Sequence, residues 1–299
     1  MASPSVLRMS REVRAAEPIR VTRLTMGIAS AGFALWGVAW VMLWLVQTET
    51  RLEWALLTIG ALLIVVAVLT HVTHLRARFG LAALVLLTLA CALPVALFLP
   101  YALGVGGNLR TYAYALWGVT WLTASVGVFL VLARKEARLE QRDRSPRTEI
   151  HASFSQLTLV AVGTLIYGVS FLGLMTYQDS RLMGWLSLIG PSLIAVAIIS
   201  HIEHLSLRVG RPAVILAIVG VAIWAGKNIT RATSDLMSNP DWSAFLVNGL
   251  QGISMLLGAI ACLLVVVHKR AWVESALAAE SEAQVAMMYD VLDDVRNQT

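Results

Sequence analysis

Long apolar runs alternate with short polar gaps along almost the whole chain. The runs fall at 25–46, 55–75, 80–103, 111–133, 156–177, 185–206, 212–229 and 243–267. A helix rises about 1.5 Å per residue, so roughly 20 apolar residues cross the ~30 Å hydrocarbon layer. The pattern predicts an all-α integral membrane protein, an eight-helix bundle. The seventh run is the weakest: it follows Pro212, a residue suited to a first helical turn, and runs into Lys227 and Asn228.

A second, longer period lies over the first. Aligning 51–80 with 181–210 without gaps leaves nearly half of the positions identical, among them Arg51/Arg181, Ile59/Ile189, Gly60/Gly190, His71/His201, His74/His204, Arg78/Arg208 and Gly80/Gly210. The preceding runs also correspond, LWGVAW at 35–40 with IYGVSF at 166–171. The chain therefore reads as two four-helix repeats, 25–133 and 156–267. Four spans is an even number, so the repeats are expected to be parallel, related by an axis along the membrane normal.

Three polar segments flank these repeats: a basic arm at 1–24, a linker at 134–155 and a tail at 268–299. The linker is expected to extend the fourth helix and to break at Ser145-Pro146, because proline disfavours helix at the residue before it. In the tail, Val285, Met288, Leu292 and Val295 have helical spacing, which predicts a short acidic amphipathic helix able to meet a protein partner.

Charge fixes the expected orientation. Only 14% of residues are charged, against about 25% in soluble domains. All but five of the 23 Lys and Arg fall on one side of an eight-span arrangement, the exceptions being Arg51, Arg110, Arg181, Lys227 and Arg231. The positive-inside rule then puts both termini in the cytoplasm and the chain in the cytoplasmic membrane. The net charge of +5 follows from this topology and gives no reason to expect nucleic acid. The bilayer is the expected environment, and oligomerisation is open. The polar arm and the long first run do not have the form of a cleavable signal. Cys91 and Cys262 lie inside apolar runs and read as reduced core residues.

Two motifs offer chemistry. His71-x-x-His74 and His201-x-x-His204 are expected on the last turns of the second and sixth helices, with Arg78 and Arg208 beside them and Glu203 in the second copy only. Residues three apart share a helix face, so each pair could offer two imidazoles to a transition metal or to haem. All four could do so together if the repeats bring them close. The competing readings are a polar helix end, favoured by the helix dipole and lipid phosphates, and a pH-responsive group. The second motif is ALWGVAW at 34–40, echoed by ALWGVTW at 115–121. Trp36, Gly37 and Trp40, with Trp117, Gly118 and Trp121, read as helix-packing knobs around glycine or as the wall of a slot for a pigment or hydrophobic ligand.

No nucleophile with its base, no phosphate loop and no Cys-x-x-Cys is found, so nothing points to an enzyme. Ionisable residues are absent from the middle of the runs. The polar residues there are mild: Thr58, Thr120, Asn248, Gln251 and Ser254. Three function classes remain: a sensory, regulatory or assembly subunit acting through its cytosolic face and tail, a metal- or haem-binding protein, and a transporter of an uncharged or lipophilic substrate.

Overall fold

The computed structural model describes residues 21–46, 50–105, 110–140, 152–177, 181–229 and 245–298. The described residues are helical with no strand. The helices are α1 (Arg23–Val46), α2 (Arg51–Leu69), α3 (Val72–Phe79), α4 (Leu81–Ala102), α5 (Arg110–Glu140), α6 (Phe154–Thr176), α7 (Arg181–Ile199), α8 (Ile202–Val209), α9 (Arg211–Gly226) and α10 (Leu250–Gln298). A π-helical turn, Phe245–Gly249, leads into α10.

Among the described residues, seven helices are long and apolar enough to cross a membrane: α1, α2, α4, α5, α6, α7 and the helix running from the π turn into α10. The exception is α9, whose 16 residues span about 24 Å at 1.5 Å per residue. The weak seventh run is thus an apolar helix, but a short one. Exposed apolar side chains stud the outside of the bundle, among them Leu62, Val85, Val126, Val196, Ile215 and Leu263. Such an outer surface suits a lipid solvent, where apolar exposure costs nothing.

The long helices pack in chain order, α1 on α2, α2 on α4, α4 on α5, α5 on α6, α6 on α7, α7 on α9 and α9 on α10, and α10 returns to α1. The result is a closed ring. One face of the ring carries the starts of α1, α4, α6 and α9 together with α3 and α8. It is called the histidine face below. The other carries the ends of α1, α4, α6 and α9.

Helices in lipid gain little by hiding apolar surface from one another, so close packing and interhelical hydrogen bonds must hold them. Glycines mark the closest approaches. A Cβ on Gly60 would lie 2.8 Å from the Gly32 carbonyl oxygen, and one on Gly190 would lie 2.6 Å from that of Gly163. Where α10 meets α1, Gly252 faces the Gly37 carbonyl and Val41. Where α5 meets α6, Gly118 faces the Gly168 carbonyl and Leu172. Hydroxyls stitch the same seams: Ser30 donates to the Ala259 carbonyl at 2.9 Å, and Ser125 donates to that of Ala161 at 2.8 Å.

Two expectations are corrected here. The second and sixth runs do not continue as single helices through the histidine motifs: α2 ends at Leu69 and α7 at Ile199, and α3 and α8 begin afresh at residues 72 and 202. His71 and His201 are the caps of those short helices, with backbone φ of −116° and −124°. Gly80 and Gly210 stand between each short helix and the long one that follows it. Their φ values of 87° and 90°, a region closed to most side chains, redirect the chain from α3 into α4 and from α8 into α9 at a single residue. Finally, the tail is not a separate helix, because α10 runs unbroken from Leu250 to Gln298. The N-terminal arm up to residue 20 and the Ser145-Pro146 break lie outside the described residues.

The glycine contacts make a direct prediction. In Gly190→Ala the new methyl meets backbone atoms of Gly163 and Tyr167, which cannot swing aside, and overpacking of this kind costs about 1–3 kcal/mol. Gly27 has nothing within 4 Å of a built Cβ, so Gly27→Ala is expected to be neutral or slightly stabilising. Thermal unfolding of the two variants in detergent checks this. Equal melting temperatures would refute the close approach.

Candidate functional site

The centre of the ring is not filled. A cavity of about 520 Å³ lies there, lined from α1, α2, α4, α5, α6, α9 and the π turn with α10. Its wall is aromatic. Trp36, Trp54, Phe98, Trp117, Phe171, Tyr167, Trp121 and Trp224 all face it. They touch one another in a belt: Trp36–Phe98 at 5.9 Å between ring centroids, Phe98–Trp117 at 6.0 Å, Trp117–Phe171 at 6.3 Å, Tyr167–Phe171 at 5.0 Å, Trp121–Tyr167 at 5.1 Å and Trp121–Trp224 at 5.2 Å. Most pairs are edge-on or tilted, the arrangements the ring quadrupole favours.

Hydrogen bonds fix several of these rings. The Trp36 indole N–H donates to the Leu57 carbonyl on α2 at 2.7 Å. The Tyr167 hydroxyl reaches Asn228 Oδ1 at 3.5 Å, and Asn228 is itself held by donating to the Trp224 carbonyl at 3.0 Å. Trp54 stacks on Tyr101 at 4.6 Å. The belt is therefore preorganised.

The lining extends from Trp54, Tyr101, Ala113, Lys227 and Val247, at the face opposite the histidines, as far as Phe33, Ile64, Leu87, Ala124 and Met255. Ile64 stands five residues before the end of α2 and Leu87 six residues after the start of α4, so the lining reaches past the middle of the ring and ends short of the histidine face. Toward the histidine face, Ala83 of α4 and Val131 of α5 are buried, with Phe79, Leu87 and Leu157 packed against them. Polar groups on the wall are few: Thr120, whose hydroxyl donates to the Leu116 carbonyl, Lys227 and Gln251.

The structure divides the tryptophan–glycine motifs between two jobs. Trp36, Trp40, Trp117 and Trp121 face the cavity. Gly37 and Gly118 turn outward to the seams, where leucines of α10 and α6 lie against them. Sequence reasoning missed the remaining wall, namely Trp54, Phe98, Tyr167, Phe171 and Trp224. Only Tyr167 and Phe171 carried a signal, as the repeat counterparts of Trp36 and Trp40. It also missed Lys227, whose position at the end of the short seventh run was the one available hint.

The histidines stand elsewhere. His71 and His74 have ring centroids 4.7 Å apart, and His201 and His204 are 4.6 Å apart. Among the described residues no three His, Cys, Asp or Glu side chains come together as a metal site would require. The four imidazoles thus do not share one ion. Glu203 is exposed on the first turn of α8.

Each pair sits instead within a basic clasp. Arg138 of α5 donates to the Ala77 carbonyl of α3 at 2.7 Å, and His268 of α10 approaches the Leu207 carbonyl of α8 at 3.3 Å. Lys269 donates to the Val21 carbonyl ahead of α1 at 2.6 Å, and Lys135 to that of Ala152 ahead of α6. Burial lowers the pKa of His71, with help from the Arg78 and Lys269 charges. Burial likewise lowers that of His201, followed by Lys135 and Arg208.

No protein-family model matches the chain, and neither the curated proteins nor the solved structures include a match to it.

The histidine environment sets the sign of a pH effect. Both folded-state values lie below the ordinary value of 6.5, so as pH falls the unfolded chain takes up protons first. Stability is therefore complete above about pH 6.5 and is lost as pH drops from there toward the folded-state values. The melting temperature in detergent should fall between about pH 7.5 and 5.5, and the His71→Gln/His201→Gln protein should show a shallower fall. An unchanged slope in that variant would assign the acid sensitivity to other groups.

Proposed function

We propose that the protein is a multi-pass membrane sensor that receives a lipophilic, ring-bearing or polyunsaturated small molecule in the centre of its helix ring. One observation carries this reading: the aromatic cavity. Its volume of about 520 Å³ falls within the range of small-molecule sites, roughly 300–1,000 Å³, which are mostly apolar with a few placed polar groups. A merely structural core would fill such space, since interiors normally pack to crystal density.

Sensing is preferred to transport for two reasons. The lining of the cavity ends short of the histidine face, at Ile64 and Leu87. In addition, α10 supplies cavity wall at Gln251 and Met255 and then continues as the same helix to Gln298. A shift of α10 on ligand binding would thus be carried bodily to the tail, the natural contact for a regulatory partner. The histidine pairs serve this architecture as polar anchors of two interfacial helices.

The proposed architecture is two parallel four-helix repeats in the cytoplasmic membrane, with the histidine face and both termini cytoplasmic. Support comes from matched contacts: Gly32–Gly60 with Gly163–Gly190, Lys269–Val21 with Lys135–Ala152, and Gly210–His268 with Gly80–Arg134. Each pair occupies corresponding places in the two halves.

Two tests follow. In intact cells of a strain carrying Cys91→Ser and Cys262→Ser, a membrane-impermeant maleimide should label Val105→Cys, whereas Glu140→Cys should react only after permeabilisation. The reverse result would invert the topology. For the cavity, a conjugated apolar probe that accepts energy from tryptophan should bind the purified protein saturably at one site. Ala124→Phe, which places a ring in the empty space, should weaken that binding about tenfold or more, because overpacking of roughly 1–3 kcal/mol falls on the occupied state. Undiminished binding in a normally melting Ala124→Phe protein would eliminate the cavity as the site.

A further inference from the structure

Prolines inside helices leave backbone acceptors behind. A proline has no N–H, so the carbonyl four residues before it loses its helical donor. In lipid such a group is met by a neighbouring side chain, a water or a ligand. Pro100 of α4 frees the Ala96 carbonyl, and the Tyr112 hydroxyl of α5 donates to it at 3.3 Å. Pro191 of α7 frees that of Ser187, away from the cavity. Pro94 of α4 frees that of Ala90, and here both residues are buried and line the cavity. A helical carbonyl points along its helix toward the residue four places on, so the freed acceptor of Ala90 lies on the cavity wall. The hydroxyl at this level is turned away. Leu87 of α4 lies against Gly127 of α5, which puts Pro94 and Thr120 level, seven residues on along the two antiparallel helices. Thr120 donates to the Leu116 carbonyl of its own helix at 2.8 Å. In the proposed two-repeat register the counterparts of Ala90, Pro94 and Thr120 are Gly220, Trp224 and Ser254. There Trp224 has a backbone N–H, and Ser254 donates across the seam to the Gly220 carbonyl at 2.8 Å. Ala90 receives neither of these bonds.

We infer that the molecule held in the ring is a lipophilic alcohol, whose hydroxyl donates to the Ala90 carbonyl while its ring-bearing or polyene body lies in the aromatic belt. This rests on the cavity being a ligand site and adds the chemical class. A backbone carbonyl is an acceptor only, so its partner must bring a donor. A hydrocarbon leaves the carbonyl unmet, and an ether, an ester or a carboxylate adds only further acceptors. An ammonium donates, but brings a charge into an apolar wall at far greater cost. A hydroxyl supplies the one bond that is missing, remains neutral, and keeps lone pairs of its own. The place of the acceptor also fixes how the ligand lies. The hydroxyl is drawn to the level of Pro94 and Thr120 in α4 and α5, and the apolar body extends from there over the tryptophans of the wall.

The test compares all-trans-retinol with axerophthene, the same polyene carrying a methyl group in place of CH₂OH. Binding is read by energy transfer from the tryptophan belt of the full-length protein in detergent. Retinol should bind about fivefold more tightly, the effect of one hydrogen bond made in an apolar site. Pro94→Ala restores the N–H and satisfies Ala90 from within α4, so the preference should fall to near one. Pro100→Ala should keep it, because the Ala96 carbonyl already has Tyr112. Both compounds partition into the same micelles throughout, so the change in their ratio between proteins isolates the site. Gel filtration and melting curves establish that both variants are folded. Equal binding of the two compounds by the unaltered protein would mean that water meets the carbonyl, and would overturn the alcohol assignment while leaving the cavity as a site for lipophiles. A preference that persists in Pro94→Ala would place the hydroxyl elsewhere and equally overturn it. Saturable binding of neither compound would bring down the cavity reading along with the inference.

Discussion

Closure of the ring at two glycine seams is the constraint on which the rest of the structure depends. In lipid, apolar side chains gain nothing by turning inward, so association comes from packing density and from hydrogen bonds between helices. Where α10 meets α1 and α5 meets α6, Gly37, Gly252, Gly118 and Gly168 let backbones approach until a Cβ would collide with a leucine or a carbonyl. Ser30 and Ser125 then add hydrogen bonds across the same seams. Without those approaches the first and last helices would separate and the centre would open to acyl chains.

Closure has a geometric consequence. Helices packed in a ring cannot all touch at the centre, so the interior must be filled by side chains or left hollow. On the histidine side Ala83 and Val131 are buried where α4 meets α5. On the other side large rings line the wall and brace one another edge-on across helix boundaries, from Trp36 on α1 through Phe98 on α4 and Trp117 on α5 to Trp121 and Trp224. Bracing of this kind holds the rings against the wall and keeps them from collapsing inward. The same residues therefore maintain the hollow and supply its chemistry.

How much of this was legible in the sequence depended on whether a feature is local. Hydrophobic run length is local, and it revealed an all-helical chain with many membrane-length helices. The breaks at Thr70 and Ser200 were not visible, because Leu, Val and Ile continue on both sides. The only mark was Gly80 and Gly210, whose positive φ makes sense only once α3 and α8 are known to be separate helices. The histidine repeat drew attention for the right reason, recurrence, but recurrence cannot give the distance between copies, and the metal centre it suggested is not assembled among the described residues. The tryptophans of the two motifs lie on the cavity wall but make up only part of it. A cavity wall is a property of seven helices at once, and Trp54, Phe98 and Trp224 belong to no shared pattern along the chain.

The departure from symmetry is the most informative feature of the ring. In the proposed two-repeat architecture a pseudo-twofold axis runs through the cavity, and a symmetric cavity would offer a single ligand two equivalent poses. The halves differ where α4 and α9 end. In the first half α4 continues through Phe98 to Tyr101 and Ala102, keeping aromatic rings on the wall. In the second, α9 stops at Gly226, about a turn and a half short of the matching position, and Lys227 takes the place on the wall that an apolar residue holds in the other copy. The two halves thus differ where Lys227 joins the wall. The weakness of the seventh hydrophobic run is therefore more than a poor span. It marks the place at which the proposed twofold relation of the two halves is broken beside the cavity.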